Sequence, residues 1–301
     1  KGELSGEGRI LNIETFGADL GVARVSAEGL FKGSARDFDF AGKLRVGKFP
    51  AIGLRRLWPD GIEAKTKKWI SENIQKGTVE DLRVGVKLSR TDKAGAPLAL
   101  DAVDGSFRYS GLSVRYYKHL PPVTGVSGKA HFDDKALRFD IAKGKTADID
   151  VGRTTVAITG FDQPKQALSV TGRVKGAMSD LLTVLDRPPL RFANKLGISP
   201  PTLKGRATAT LTVDMRLLKT LTLDDVDIKA KAQIAGLFWR KGMFGLDVAK
   251  GGFALSVSKA GMRMTGKADL GGENARIDWQ EVFGETKGPR RTFNISTVFE
   301  P

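Results

Sequence analysis

Residues 203–215 read Leu203-Lys204-Gly205-Arg206-Ala207-Thr208-Ala209-Thr210-Leu211-Thr212-Val213-Asp214-Met215. From Ala207 onward, apolar residues alternate without a slip with Thr208, Thr210, Thr212 and Asp214. Successive side chains of a strand point to opposite faces, so this strand has one wholly apolar face and one wholly polar face. The fold turns on what the apolar face touches: another protein layer, or something that is not protein.

The pattern recurs on both sides. Val226, Ile228, Ala230, Ala232 and Ile234 alternate in the same way, as do Phe253, Leu255 and Val257, and then Met262, Met264, Ala268 and Leu270. Upstream, Leu44 and Val46 alternate with Lys43 and Arg45, and Leu82, Val84, Val86 and Leu88 follow with Arg83 and Lys87 between them. From Leu98 to Val174 short apolar runs succeed one another at spacings of about 8–12 residues, the signature of consecutive antiparallel strands. One local motif (apolar, any residue, Gly, basic, apolar) appears around Gly42, Gly128, Gly172, Gly205 and Gly266. Its separations are irregular, which excludes a fixed-period solenoid. A glycine inside a strand marks a bulge, a bend or a backbone that must stay uncrowded.

Helices are few. Lys65 to Gln75 places Trp69, Ile70 and Ile74 on one side, with Lys68–Glu72 as an i,i+4 pair and Gly77 as the C-terminal glycine. Trp69 is expected to pack against strand side chains. Ser179 is expected to cap Asp180–Leu185, and a short helix carrying Phe192, Ala193 and Leu196 is expected to stop at Gly197. Trp58-Pro59-Asp60-Gly61 is turn chemistry. The expected fold is mainly β: an elongated, curled antiparallel β-sheet forming an open apolar groove, with about three short helices. Residues 1–301 are read as one continuous groove segment with helical insertions near 62–76 and 179–197.

Composition narrows the function. Hydrophobic residues at 41% and charged residues at 28% describe a chain that folds without promising a thick core. The net charge of +15 favours anionic partners, but the basic residues are scattered one or two per strand, with no basic arm or aromatic-basic motif, so no nucleic acid partner is expected. Cysteine is absent, which excludes disulfides and thiolate metal sites. His119 and His131 lack metal-ligand spacing, and Asp148, Asp150, Asp224, Asp225 and Asp227 read as polar-face residues on solvated strands. No phosphate-binding glycine loop or nucleophile elbow occurs. No catalytic residue, metal site or cofactor is expected. No run approaches the length that spans a bilayer. The chain starts at Lys1 without a methionine, so it is expected to be part of something longer, with any anchor outside it and flanking segments of the same chain as partners.

Several segments in order resemble one family. Trp58-Pro59, Lys68-Trp69-Ile70, Asn73 and Gly77-Thr78-Val79 come first, followed by Gly176 to Leu182, Pro188-Pro189-Leu190, Leu196-Gly197 and Gly205. Gly245-Leu246, Gly266-Lys267-Ala268, Gly271-Gly272 and Trp279 close the series. Together they resemble the large AsmA-like proteins of the YhdP type, departing from them at Met215-Arg216-Leu217, where many relatives carry a proline. The resemblance implies a bridge-like lipid transfer protein of the periplasm, anchored in the inner membrane. It further implies a curled β-groove that carries phospholipid acyl chains toward the outer membrane, in outer membrane biogenesis, and no catalytic residues.

On this view the groove is lined by Ala207, Ala209, Leu211, Val213, Met215, Val226, Ile228, Ala230, Ala232, Ile234, Phe253, Leu255, Val257, Met262 and Met264. Two alternatives stay open: a β-sandwich or closed barrel serving adhesion or assembly, which the same alternation predicts, and a polyanion-binding β-module.

Overall fold

A computed structural model describes residues 2–5, 10–34, 36–57, 64–91, 98–188, 191–218, 222, 225–285 and 287–297. The Trp58–Gly61 turn, Pro189, Leu190 and Asp224 lie outside the described residues. The chain is mainly β and antiparallel, with four short α-helices among the described residues. It groups into two compact units.

The first unit contains β1 (Gly2–Ser5), β2 (Ile10–Asp19), β3 (Arg24–Gly33), β4 (Phe38–Val46), β5 (Phe49–Pro50), β6 (Ile74–Arg90) and β7 (Ala99–Val114). Helices α1 (Leu54–Leu57) and α2 (Ala64–Asn73) lie between β5 and β6. Strands β1 to β4 pair antiparallel in chain order, β4 and β5 both pair with β6, and β6 pairs with β7. Strands β8 (Val123–Asp133), β9 (Ala136–Thr146) and β10 (Ile149–Thr159) contribute residues to both units.

The second unit contains β11 (Ala167–Ala177), helices α3 (Met178–Leu185) and α4 (Phe192–Leu196), and then β12 (Leu203–Arg216), β13 (Val226–Met243), β14 (Leu246–Ser258), β15 (Gly261–Leu270), β16 (Glu273–Val282) and β17 (Arg291–Thr297). Its strands pair in chain order, β11 to β17. Each strand finds its partner next along the chain, the lowest-cost arrangement for antiparallel strands, even across the helical insertion between β11 and β12.

The recurring glycine has two uses. At Gly205 the backbone takes φ +110° and the β12–β13 register shifts between Lys204 and Arg206, which is a bulge. At Gly266 the Phe253 ring lies on the space a side chain would fill, and a Cβ there would also strike the carbonyl oxygen of Gly252. The glycine thus lets an aromatic ring of the neighbouring strand lie flat on the sheet.

Three local expectations are corrected. Gly77 does not end a helix. It sits inside β6 at φ +103°, because residues from Ile74 onward already pair with β7, and its Cα fits under the Gly111–Leu112 backbone where a Cβ would not. Ser179 does not cap α3: the helix starts at Met178 behind Ala177, with no side-chain cap. Trp69 does not pack on the strands but is 44% exposed. Helix α2 runs straight into β6 with no loop, so Ile70 and Ile74 take the half-buried positions and the indole stays outside. The Lys68–Glu72 pair does form, at 3.9 Å, and Gly197 closes α4 in the left-handed conformation.

The glycine contrast is testable. Gly266→Ala is expected to destabilise the protein by about 1–3 kcal/mol through overpacking. Gly252→Ala, where nothing lies within 4 Å of the new Cβ, is expected to change stability by no more than about 0.5 kcal/mol. Urea-denaturation midpoints of the two variants measure the difference.

Candidate functional site

In the second unit the register places every expected lining residue on one face. Ala207 lies opposite Ile234, and Ile234 opposite Phe253. Ala209, Ala232, Leu255 and Met264 form the next row, and Leu211, Ala230, Val257 and Met262 the one after. Val213 pairs with Ile228, and Met215 with Val226. Strand β11 extends the rows through Leu168, Val170 and Val174.

Burial divides this face. Ala207, Ile234, Phe253 and Met264 belong to a packed core with Leu203, Leu237, Met243, Val248, Leu270, Ile277 and Trp279, and Ala232 is also buried. Leu255 and Met262 pack against that core while remaining half-buried. Ala209, Leu211, Val213, Met215, Val226, Ile228, Ala230 and Val257 lie outside it and are half-buried.

Two devices cover the packed part. Helices α3 and α4 and the turn after them bring Met178, Leu181, Leu182, Leu196 and Ile198 onto the core. The β13–β14 hairpin also bends over the face, its ladder slipping between Ile234 and Leu237, Leu237 and Trp239, and Trp239 and Met243. Each slip is an irregularity that turns the strand. The bend stacks Trp239 on Trp279 of β16, with ring centroids 6.3 Å apart, and sets Phe244 against Phe293 at 5.2 Å. Such ring pairs add about 0.5–1.5 kcal/mol each beyond area burial.

The opposite face of this unit is polar and solvated. Thr208, Thr210 and Thr212 lie across from Gln233, Lys231 and Lys229. Arg263 of β15 makes a two-pronged pair with Asp278 of β16 at 3.1 and 2.8 Å, which holds the Asp278 carboxyl below its ordinary range. Of the aspartates read from the sequence as solvated, Asp227 pairs with Lys229 at 2.9 Å, and the Asp148 side chain is 82% exposed.

A comparable apolar face in the first unit escaped the list of lining residues. Phe16, Ala27, Leu44, Val84 and Gly105 form one of its rows, and Leu11, Phe31, Phe40, Leu88 and Leu100 another. Phe16 is 56% and Leu100 40% exposed. At one end Phe107, Tyr109 and Phe139 cluster with centroids 6.0–6.3 Å apart. The Tyr109 hydroxyl is buried over Gly128 without a hydrogen-bond partner, and burial, helped by Asp140, pushes the phenol far above its ordinary pKa. The alternation of Phe38 to Val46 and Leu82 to Leu88 carried the signal for this face.

Sequence reasoning also missed a charged pair on the apolar side. Ala275, Ile277, Trp279 and Glu281 alternate along β16, so Glu281 falls on the same face as Trp279, directly opposite Arg291. Among the described residues no group of three or more His, Cys, Asp or Glu side chains is placed to hold a metal ion. No helix among them is long and apolar enough to cross a membrane.

A protein-family model described as "YhdP protein" matches residues 19–294. No curated protein and no solved structure matches the chain.

The Tyr109 environment makes a direct prediction. Its hydroxyl pays desolvation without a hydrogen bond, so Tyr109→Phe is expected to leave stability unchanged or raise it by up to about 1 kcal/mol. A fall in the urea midpoint would show that the hydroxyl has a partner in solution.

Proposed function

The chain belongs to the YhdP family, a lipid-transport family of the bacterial envelope, and on that premise we propose that its apolar sheet faces carry phospholipid acyl chains between the inner and outer membranes. The observation that carries this is the run of rows from Leu211–Ala230–Val257 to Met215–Val226. These side chains share one face in unbroken register, are half-buried, and lie outside the packed core.

Acyl chains suit such a surface. Their burial contributes about 0.8 kcal/mol per CH₂ and requires no polar anchor at each position. A face of small and medium side chains also offers no fixed stopping point, which a conduit needs. Basic residues scattered along the strands give the chain a net positive charge that attracts anionic lipid headgroups. The proposal places the chain in the periplasm, held to the inner membrane through a segment outside residues 1–301, with a part in outer membrane biogenesis. It assigns no reaction, metal or cofactor.

The packed end of the second unit gives the structural alternative its foothold, since Trp239 on Trp279 is the contact of two protein layers. The alternatives part over Leu211 and its row. Native mass spectrometry of the purified chain is expected to show co-purifying phospholipid. Leu211→Asp or Val213→Glu is expected to lower it about tenfold or more, since each sets a charge on an apolar surface, while far-UV circular dichroism stays unchanged. Photo-crosslinkers at positions 211 and 230 are expected to capture lipid, and capture of protein alone would overturn the proposal.

A further inference from the structure

The apolar face of the second unit carries an ion pair that neither packing nor acyl chains require. The Glu281 side chain is only 8% exposed, and its Oε2 accepts the Arg291 Nε–H at 2.6 Å and the Trp279 indole N–H at 3.2 Å. Its Oε1 accepts from Arg291 Nη2 at 3.3 Å, and Nη2 also reaches the carbonyl of Leu196 at the end of α4, at 3.5 Å. The guanidinium carbon lies 5.6 Å from the centre of the Trp279 ring. Burying a carboxylate costs several kcal/mol, and a hydrophobic pair at the same place is often as stable. Stability alone therefore gives weak reason for a charged pair here.

The geometry leaves part of the arginine unused. A guanidinium has five N–H donors. The bonds above engage Nε and Nη2, while Nη1 makes none of them, and the Arg291 side chain is 40% exposed. Glu281, the Leu196 carbonyl and the Trp279 ring fix the orientation of the group before any ligand arrives. Register places it at the end of one row: Arg291 opposite Glu281, Glu281 opposite Met262, then Val257, Ala230 and Leu211. At about 4.8 Å between neighbouring strands, the path from β17 to β12 along this row covers roughly 24 Å of sheet.

We propose that Arg291, held by Glu281, binds the phosphate of a phospholipid whose acyl chain lies along Met262, Val257, Ala230 and Leu211. This rests on the lipid-path reading above and adds a headgroup site to it. Two donors on Nη1 suit a phosphate oxygen, and a hydrogen bond to a charged group is about twice as strong as a neutral one. Glu281 is then a positioning residue. It holds the guanidinium in place and offsets one charge, so that the bound phosphate is held without being trapped.

The test compares two ligands with identical acyl chains, phosphatidylglycerol and diacylglycerol, offered to the purified chain from digalactosyldiacylglycerol vesicles, which carry no phosphate. The wild type is expected to load phosphatidylglycerol about tenfold over diacylglycerol, the equivalent of one charge-assisted contact. Arg291→Gln is expected to remove that preference while loading diacylglycerol as before, and Arg291→Lys to restore it in part. Equal loading of both lipids by the wild type, or an unchanged preference in Arg291→Gln, overturns the headgroup site alone. Loss of both lipids in Arg291→Gln also overturns it, because the arginine would then be only a structural brace for α4. A wild type that takes up no lipid, the vesicle lipid included, overturns the lipid path itself, and the headgroup site with it.

Discussion

Everything in the second unit depends on register. A strand of alternating polarity gains from pairing only if its neighbours place their apolar residues on the same side, and a one-residue slip would turn each set outward. From β11 to β15 that condition is met at pair after pair: Val174 with Ala209, Ala209 with Ala232, Ala232 with Leu255, Leu255 with Met264. The bulges lie at the ends of ladders, at Gly205 and along the bent arm of the β13–β14 hairpin, where the alternation can be interrupted without flipping the rows. The result is an apolar surface continuous across several strands.

Such a surface has to be covered by something, and the described residues of this unit pack a core on part of it. Helices α3 and α4 and the bent hairpin together bury Ala207, Ile234, Phe253 and Met264. The cover is economical in residues because it uses large rings: Trp239 on Trp279, and Phe244 on Phe293. Beyond the reach of those rings the rows from Leu211 to Met215 remain half-buried.

The alternation made the strands and their shared face legible before any coordinates, because a period of two is a local property of the chain. The rows follow from it once short turns force sequence neighbours to pair. What was not legible is whatever depends on contacts distant in sequence. Nothing local to Phe253 or Met264 says that a hairpin arm will fold over them, so a lining made of these residues and of Leu211 alike joins core positions to half-buried ones. Trp69 was assigned to packing because aromatic residues on an amphipathic helix usually pack. The direct run of α2 into β6 overrides that preference. Gly77 had the expected positive φ, but a strand partner at Gly111 put it to another use. Glu281 was hidden for a different reason: a single acidic residue at the end of an apolar alternation reads as the end of the pattern, and only its pairing opposite Arg291 shows that it continues the face.

In the proposed lipid path the packed and half-buried parts of the face answer different needs. A conduit lined wholly by loosely held side chains would collapse on itself, since its apolar walls would gain more from each other than from a mobile ligand. In the proposed path the packed end would prevent this by fixing the strands: Ile277 and Val248 are fully buried there, and the sheet they anchor extends into the rows beyond. Small residues continue along the half-buried rows: Ala230 pairs with both Leu211 and Val257, and Ala209 with Ala232. In the proposed path these rows would meet a flexible apolar guest while the sheet beneath them is held from one side.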